Sequence, residues 1–491
     1  MKINNKIYAI ALAALLGIGF VGCKKSYLET SPTDRIAGDD LFSTTGGAYT
    51  LLNGLHSYMN ESYMLYATHA DFGAKAMDLF SDVMGTDMVC TSSGYDWMYY
   101  HYSYFATGYS VYWMGNLPWY FYYKLINNAN TILDNIDAAK GPEEEKNDIK
   151  GQAYAYRAWA YLNLVQFYQF TYLQNKTAPG LPIYLHATKP QDTGNPRGTL
   201  QQDFDLMLED CENAVTLLED AVVHSEKSHI SAATAHGIYA RVALEMGLWE
   251  KAKRQAELAA QDYPLMPPDT YTSGFNDANN VEWMWGSSLS AEQYTAQSII
   301  CFFSHVDQDC PGYASVGATR SITKALYDQI PDTDIRKQVF NATSRIQEKF
   351  HVADPTGFDA DNLFMRSSEM YLIQAEAEWA LGNYPAAKSV LEDLVTARDP
   401  SYTAPAATAD SSFVKEVWKQ RRIELWGEGF GYRDMKRQMH GLHRPTGAGN
   451  HSPGIATLIN AEKNDPRLLL KIPQTEIDVN DAIGPDDQNP F

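Results

Sequence analysis

The chain has 491 residues and a formal charge of −21, with 45% of its residues apolar and 12% aromatic. So acidic a composition argues against a nucleic-acid binder, which gains affinity by neutralising phosphates, and against adhesion to anionic lipid heads. The apolar fraction suffices for a substantial core, and with no CxxC or HExxH motif no zinc site is indicated.

Lys2 and Lys6 open the chain, and residues 7–20 form an uncharged apolar run. That run fits a signal-peptide core and falls short of the ~20 residues a membrane-spanning helix needs. It ends in Phe20-Val21-Gly22-Cys23, similar to a bacterial lipobox. Residues 1–22 are therefore expected to be a lipoprotein signal peptide, with Cys23 acylated as the anchor and residues 23–38 a polar linker. Lys24, not Asp, follows Cys23, which points to the outer membrane.

Residues 39–491 are read as the body. Its first ligand-loop region, about 61–118, contains GYDWMYYHYSYF at 94–105, where seven of twelve residues are aromatic. Read as an extended segment, Tyr95, Trp97 and Tyr99 share one face, and Tyr100, Tyr102 and Tyr104 the other. One set is expected to meet ligand, with Asp96 and His101 supplying hydrogen bonds, while the other packs on helices. The aromatic run at 119–125 enters a helical pattern and is expected in the core.

Helical periodicity then dominates, in blocks at about 119–170, 198–262 and 366–437. In 119–137 an apolar face carries Leu125, Ile126, Ala129, Ile132, Leu133 and Ile136; in 143–170 Ile149, Ala153, Tyr156, Ala160, Leu164 and Phe167 recur at helical steps. Thr199 and Gln202 form a capping-box pair ahead of the next helix. Residues 240–259 align without a gap on 375–394, matching Gly247 to Gly382, Trp249 to Tyr384 and Ala252 to Ala387. Each copy reads as a helical hairpin similar to a tetratricopeptide unit: glycine allows the reversal, alanine the close approach, and the aromatic fills the wedge. Their separation in sequence argues against a continuous solenoid.

The second ligand-loop region, about 264–365, lies between the copies. VEWMWGS at 281–287 reads as a short strand with Trp283 and Trp285 on one face, both carried as candidate ligand contacts. Cys301 and Cys310 are a candidate disulfide, while Cys90 and Cys211 read as buried thiols. Residues 304–317 read as an exposed loop in which Tyr313, with Asp307 or Asp309, completes a binding surface or a Ca²⁺ site. The basic run at 419–437 contains Glu424, Glu428 and Asp434, so internal ion pairs are expected. His440, His443 and His451 fit no metal spacing.

Four stretches, taken together in order, resemble the SusD/RagB family of Bacteroidetes outer-membrane proteins: YKLINNANTIL (123–133), KGQAYAYRAWAYLNLVQFY (150–168), RRIELWGEGFGYRDMKR (421–437), and the tail 468–491 ending in Gln488-Asn489-Pro490-Phe491. The resemblance implies a mainly α fold, with tetratricopeptide-like hairpins as scaffold and long irregular loops and short strands building the ligand surface. It implies no enzymatic activity and no required cofactor. It implies a lipid-anchored protein of the outer membrane, facing the exterior, which captures oligosaccharide and partners a SusC-like TonB-dependent transporter. The family also includes RagB-like peptide binders, which remain an alternative. A glycoside hydrolase and an assembly adaptor are the other readings: the first needs two carboxylates at a defined separation, which sequence cannot place, and the second leaves the aromatic loops without a role.

Overall fold

The computed structural model describes residues 41–189 and 191–490; the expected signal peptide, the expected anchor Cys23 and the expected linker lie outside them. The helices that matter here are α1 (Thr45–Tyr58), α2 (Ala74–Met84), a single turn α3 (Tyr99–Tyr102), α4 (Trp113–Asn135), α5 (Glu143–Tyr168), α6 (Leu200–Leu218), α7 (Ala232–Met246), α8 (Trp249–Ala260), α9 (Ser367–Ala380), α10 (Tyr384–Thr396), α11 (Ser412–Glu424) and α12 (Gly431–Arg437). From α4 to α10 each helix packs on the one before it, and α11 closes on α9. α5 begins with Glu143, Glu144 and Glu145, whose charges suit the positive end of the helix dipole. At the start of α6 the capping box is formed: the Gln202 amide donates to Thr199 Oγ1 at 3.3 Å, and the Thr199 amide to Gln202 Oε1 at 2.8 Å.

Both repeat copies are hairpins. Gly247 ends α7 at φ 67° and Gly382 follows α9 at φ 80°, the left-handed conformation that glycine takes without steric cost. Ala252, Ala256 and Ala259 of α8 are fully buried, as are Ala387, Leu391 and Leu394 of α10. α8 also packs directly on α9. The two hairpins are therefore neighbours in space, and the long insertion loops out between them. The array is continuous where the sequence spacing suggested it was not. Leu372, Leu391, Phe413 and Val417 belong to a second, smaller apolar cluster joining α9, α10 and α11.

The strands are short two-stranded ribbons: β1 (Met88–Cys90), β2 (Pro179–Pro182), β3 (Arg197–Thr199), β4 (Trp283–Ser287), β5 (Arg320–Ile322) and β6 (Asn362–Arg366) pair antiparallel as β1–β5, β2–β3 and β4–β6, and a fourth ribbon pairs Leu442–His443 with Asn460–Ala461. β4 is a strand, as its sequence suggested, but it is buried along its whole length. Trp283 and Trp285 are 0% and 1% exposed, so neither meets ligand. Trp285 packs edge-on against Trp159 of α5 at 5.3 Å and donates its indole N–H to the Ser228 carbonyl at 3.3 Å. Alternation along a strand says which residues share a face; here both faces are covered.

A wholly buried ion network joins this ribbon to α11. Arg366 Nη1 donates to Glu282 and Glu424, both at 2.6 Å, and its Nη2 to Glu428 at 2.7 Å. Arg398 donates to Glu282 at 2.7 Å, and Arg336 to Glu424 at 3.3 Å. Burial alone would raise the Glu424 carboxyl's pKa, but Arg398, Arg366 and Arg336 outweigh it and hold the group ionised. In the same basic run Arg421 pairs with Asp434 at 2.6 Å, Arg433 with Asp78 at 3.0 Å and Arg437 with Glu376 at 2.7 Å. The internal pairing read from the sequence is what the fold contains.

Cys301 and Cys310 are separate buried thiols, not a disulfide. Cys310 Sγ instead donates to the carbonyls of Phe303 and Asp307, each at 3.4 Å, and burial pushes both thiols up to about 12. Cys90 and Cys211 are buried thiols as expected.

Candidate ligand-binding surface

Residues 94–105 do not form a strand. Asp96 sits at φ 67°, a left-handed conformation that Asp tolerates, and the chain then closes into α3. The core-and-solvent division survives in part. Tyr102 and Tyr104 are buried; Tyr100 is half-buried; Tyr95 is 58% exposed; Trp97 and Tyr99 are half-buried. His101 is fully buried, stacked on Phe80 at 3.6 Å with Nε2 3.1 Å from the Met114 carbonyl. It serves the core and is not free to bond a ligand. Asp96, half-buried, accepts from the Tyr100 hydroxyl at 3.4 Å.

Trp97 is held from behind. His69 stacks on it at 5.3 Å and 22°, and Tyr313 lies edge-on to Tyr95 at 5.1 Å and to Trp97 at 6.4 Å. Tyr313 is only 7% exposed, and its hydroxyl is bonded to His69 Nδ1. Burial raises the Tyr313 pKa, offset in part by the Trp97 indole N–H. Tyr313 thus braces Tyr95 and Trp97 and offers little surface of its own. His305 stacks on Tyr313 at 5.0 Å. The loop 304–317 is accordingly mostly buried, against its polar composition.

The aromatic surface runs on past α3. Tyr99 contacts Tyr100 at 5.6 Å, Tyr100 meets Phe105 at 5.1 Å, and Phe105 meets Tyr109 at 4.9 Å. Phe105 and Tyr109 are 43% and 52% exposed. With Tyr99 they wall a cleft of about 440 Å³ whose polar lining includes Ser103, Thr457 and Arg467. A second branch runs from Tyr112 to Trp113 at 6.0 Å, then to Tyr66 at 5.7 Å and Tyr120 at 6.2 Å. Tyr120 and Tyr123 in turn line an adjoining cleft of about 380 Å³ with Lys124, Asn127 and Glu476. Trp119, Phe121 and Tyr122 are core, as expected. Sequence reasoning missed Tyr66 and His69; the only signal for them was their place in a loop region rich in aromatics.

The chemistry this surface offers is stacking plus a few hydrogen bonds. Its charge is low: Arg467 is already paired with Asp465 at 2.9 Å. Among the described residues Asp307, Asp309 and His351 could hold a metal ion, with ligand atoms within 4.8 Å of one another. Asp307 is buried and already accepts from His351 at 3.1 Å and the Val352 amide at 2.8 Å.

Two family models match the chain, one described as starch-binding associating with the outer membrane over residues 54–244, the other as SusD family over 317–491. The chain belongs to the SusD/RagB family. Its fold is mainly α, and the protein is a non-catalytic binding protein of that family. A SusD-like carbohydrate binding protein from Bacteroides vulgatus is similar at 29% identity, with 92% of this chain and 99% of that one covered and a TM-score of 0.81. SusD superfamily proteins from Bacteroides thetaiotaomicron (22% identity, 91% and 100% covered, TM-score 0.74) and Bacteroides fragilis (21%, 90% and 100%, 0.73) share the fold. No curated protein matches. Among the described residues of this SusD-family chain, no helix is long and apolar enough to cross a membrane.

Proposed function

We propose that the protein is a lipid-anchored outer-membrane glycan-capture protein, tethered through Cys23 and facing the exterior, which passes oligosaccharide to a SusC-like TonB-dependent transporter. The observation that carries this reading is the braced aromatic surface: Tyr95 and Trp97 fixed by His69 and Tyr313, continuing into the cleft of Tyr99, Phe105 and Tyr109. A sugar ring presents C–H groups on its faces and hydroxyls at its rim. Flat aromatic side chains with few rotors cover the faces at small entropy cost, and Asp96, Thr457 and Arg467 can meet rim hydroxyls. The carbohydrate binding named for the similar Bacteroides vulgatus protein supports the same class of ligand.

Binding by stacking and a few hydrogen bonds is expected in the micromolar to millimolar range, about 4–8 kcal/mol, weak enough for cargo to be handed on. The test is calorimetric titration with plant, host and microbial oligosaccharides. Saturable binding of one glycan class is expected; silence across the panel, with binding of a peptide, would contradict it. The hand-over is tested separately, by co-purification of a barrel transporter with the anchored protein.

A further inference from the structure

A separate cleft of about 350 Å³ opens between α11 and the segment through α12 to His443, and it shares no lining residue with the two aromatic clefts. Trp418, half-buried, forms part of its wall, with His440 edge-on at 5.5 Å. Lys415, His440 and His443 are exposed around it.

The carboxylates of this cleft are already engaged. Asp82 accepts the amides of Gly429 and Gly431 at 2.8 and 3.0 Å. Asp87 accepts from Arg422 at 2.7 Å, and Asp434 from Arg421 at 2.6 Å and Arg437 at 3.2 Å. What remains is donors. Trp418 Nε1, Arg421 Nη1 and Gln438 Nε2 are buried without an acceptor, and no acceptor among the lining side chains is left in that state. Arg421 has a side chain only 3% exposed. Burial of such donors is unfavourable until an acceptor arrives. Burial and the nearby charges of Arg422, His443 and Lys415 hold the His440 imidazole below its usual range, so cations are crowded here on a protein of charge −21. A cleft near the small end of ligand-site volumes, with an indole wall and an excess of donors and cations, suits a small organic anion.

We propose that this cleft binds an acidic sugar unit, a carboxylate or sulfate group held among Arg421, Lys415 and His440 and the ring against Trp418. This site is distinct from the aromatic surface and does not depend on that surface binding glycan.

The test titrates the full-length protein in detergent, at constant ionic strength, with D-galacturonate, D-galactose 6-sulfate, D-galactose and sodium sulfate. The Trp418 indole N–H, identified by its loss in Trp418→Phe, is followed by NMR. At least one acidic sugar should bind saturably and shift that signal, with galactose and inorganic sulfate at least about tenfold weaker. A Lys415→Gln/His440→Gln variant alters two exposed side chains and should keep the melting temperature while losing about tenfold in affinity. The proposal is overturned if neither acidic sugar shifts the Trp418 signal saturably, if galactose or sulfate shifts it as readily, or if the double variant's signal responds to the acidic sugar unchanged.

Discussion

At the scale of single residues, the largest energies lie far from any ligand. Glu424 is 0% exposed and takes hydrogen bonds from Arg366, Arg398 and Arg336. Removing one charge from such a network strands the others in a low-dielectric interior, at about 3–5 kcal/mol. Glu424→Gln is expected to lose that much stability in denaturant titration. Trp285→Phe, equally buried, should cost stability while leaving ligand affinity unchanged, because its ring contacts Trp159 and Phe364 and no open surface. What the sequence made legible here was residue type, not neighbour. Tyr95 and Trp97 stood out because aromatics in a Gly- and Asp-containing loop have no helix to pack on. Trp283 and Trp285 carried the same signal and are core, since whether a strand's second face is covered depends on α5, more than a hundred residues earlier. His69 and Tyr313 could not be paired in advance: the two are far apart in sequence, and only the fold brings them into contact.

At the scale of elements, the hairpins were the most legible part. Their period, their Gly-aromatic-Ala turn and the Thr199–Gln202 cap are local, and local signals survive into the structure. The hairpin turns permit a clean test. At Gly382, φ is 80° and a Cβ would meet nothing within 4 Å, so Gly382→Ala isolates the backbone cost. About 1 kcal/mol of stability should be lost, and Gly382→Asn should lose less, because Asn tolerates the left-handed region. Equal losses would mean that the turn is governed by something other than φ. Elements built from irregular chain were the least legible. Residues 94–105 looked extended by alternation, yet the turn at Asp96 and the helical turn at 99–102 redistribute the rings, and 304–317 looked exposed yet packs its Tyr313 under Trp97.

At the scale of the whole molecule, charge and buried titratable groups set the response to conditions. His101 and His305 are pushed down to about 3, and His229 and His451 to about 4, chiefly by burial. Each folded pKa lies below the unfolded value near 6.5, so the stability these groups contribute is present above pH 6.5 and lost as pH falls towards 4 and 3. Asp82 and Asp203, raised by burial to about 7 and about 8, act in the opposite sense: their contribution is present at low pH and lost as pH rises through those values. A single-site comparison separates the two. Between pH 7 and pH 5, His101→Phe should lose less stability than the parent, by on the order of 2 kcal/mol, read from thermal melts.

The aromatic surface carries little net charge, so binding of a neutral glycan there should change by less than about twofold when salt is raised. The measurement that bears most directly on this account is calorimetric titration of Trp97→Ala beside the parent protein, with a neutral oligosaccharide that the parent binds. Removing the braced indole should weaken binding about tenfold or more with the melting temperature nearly unchanged. Undiminished affinity in a folded Trp97→Ala protein would contradict the account and move glycan capture off this surface.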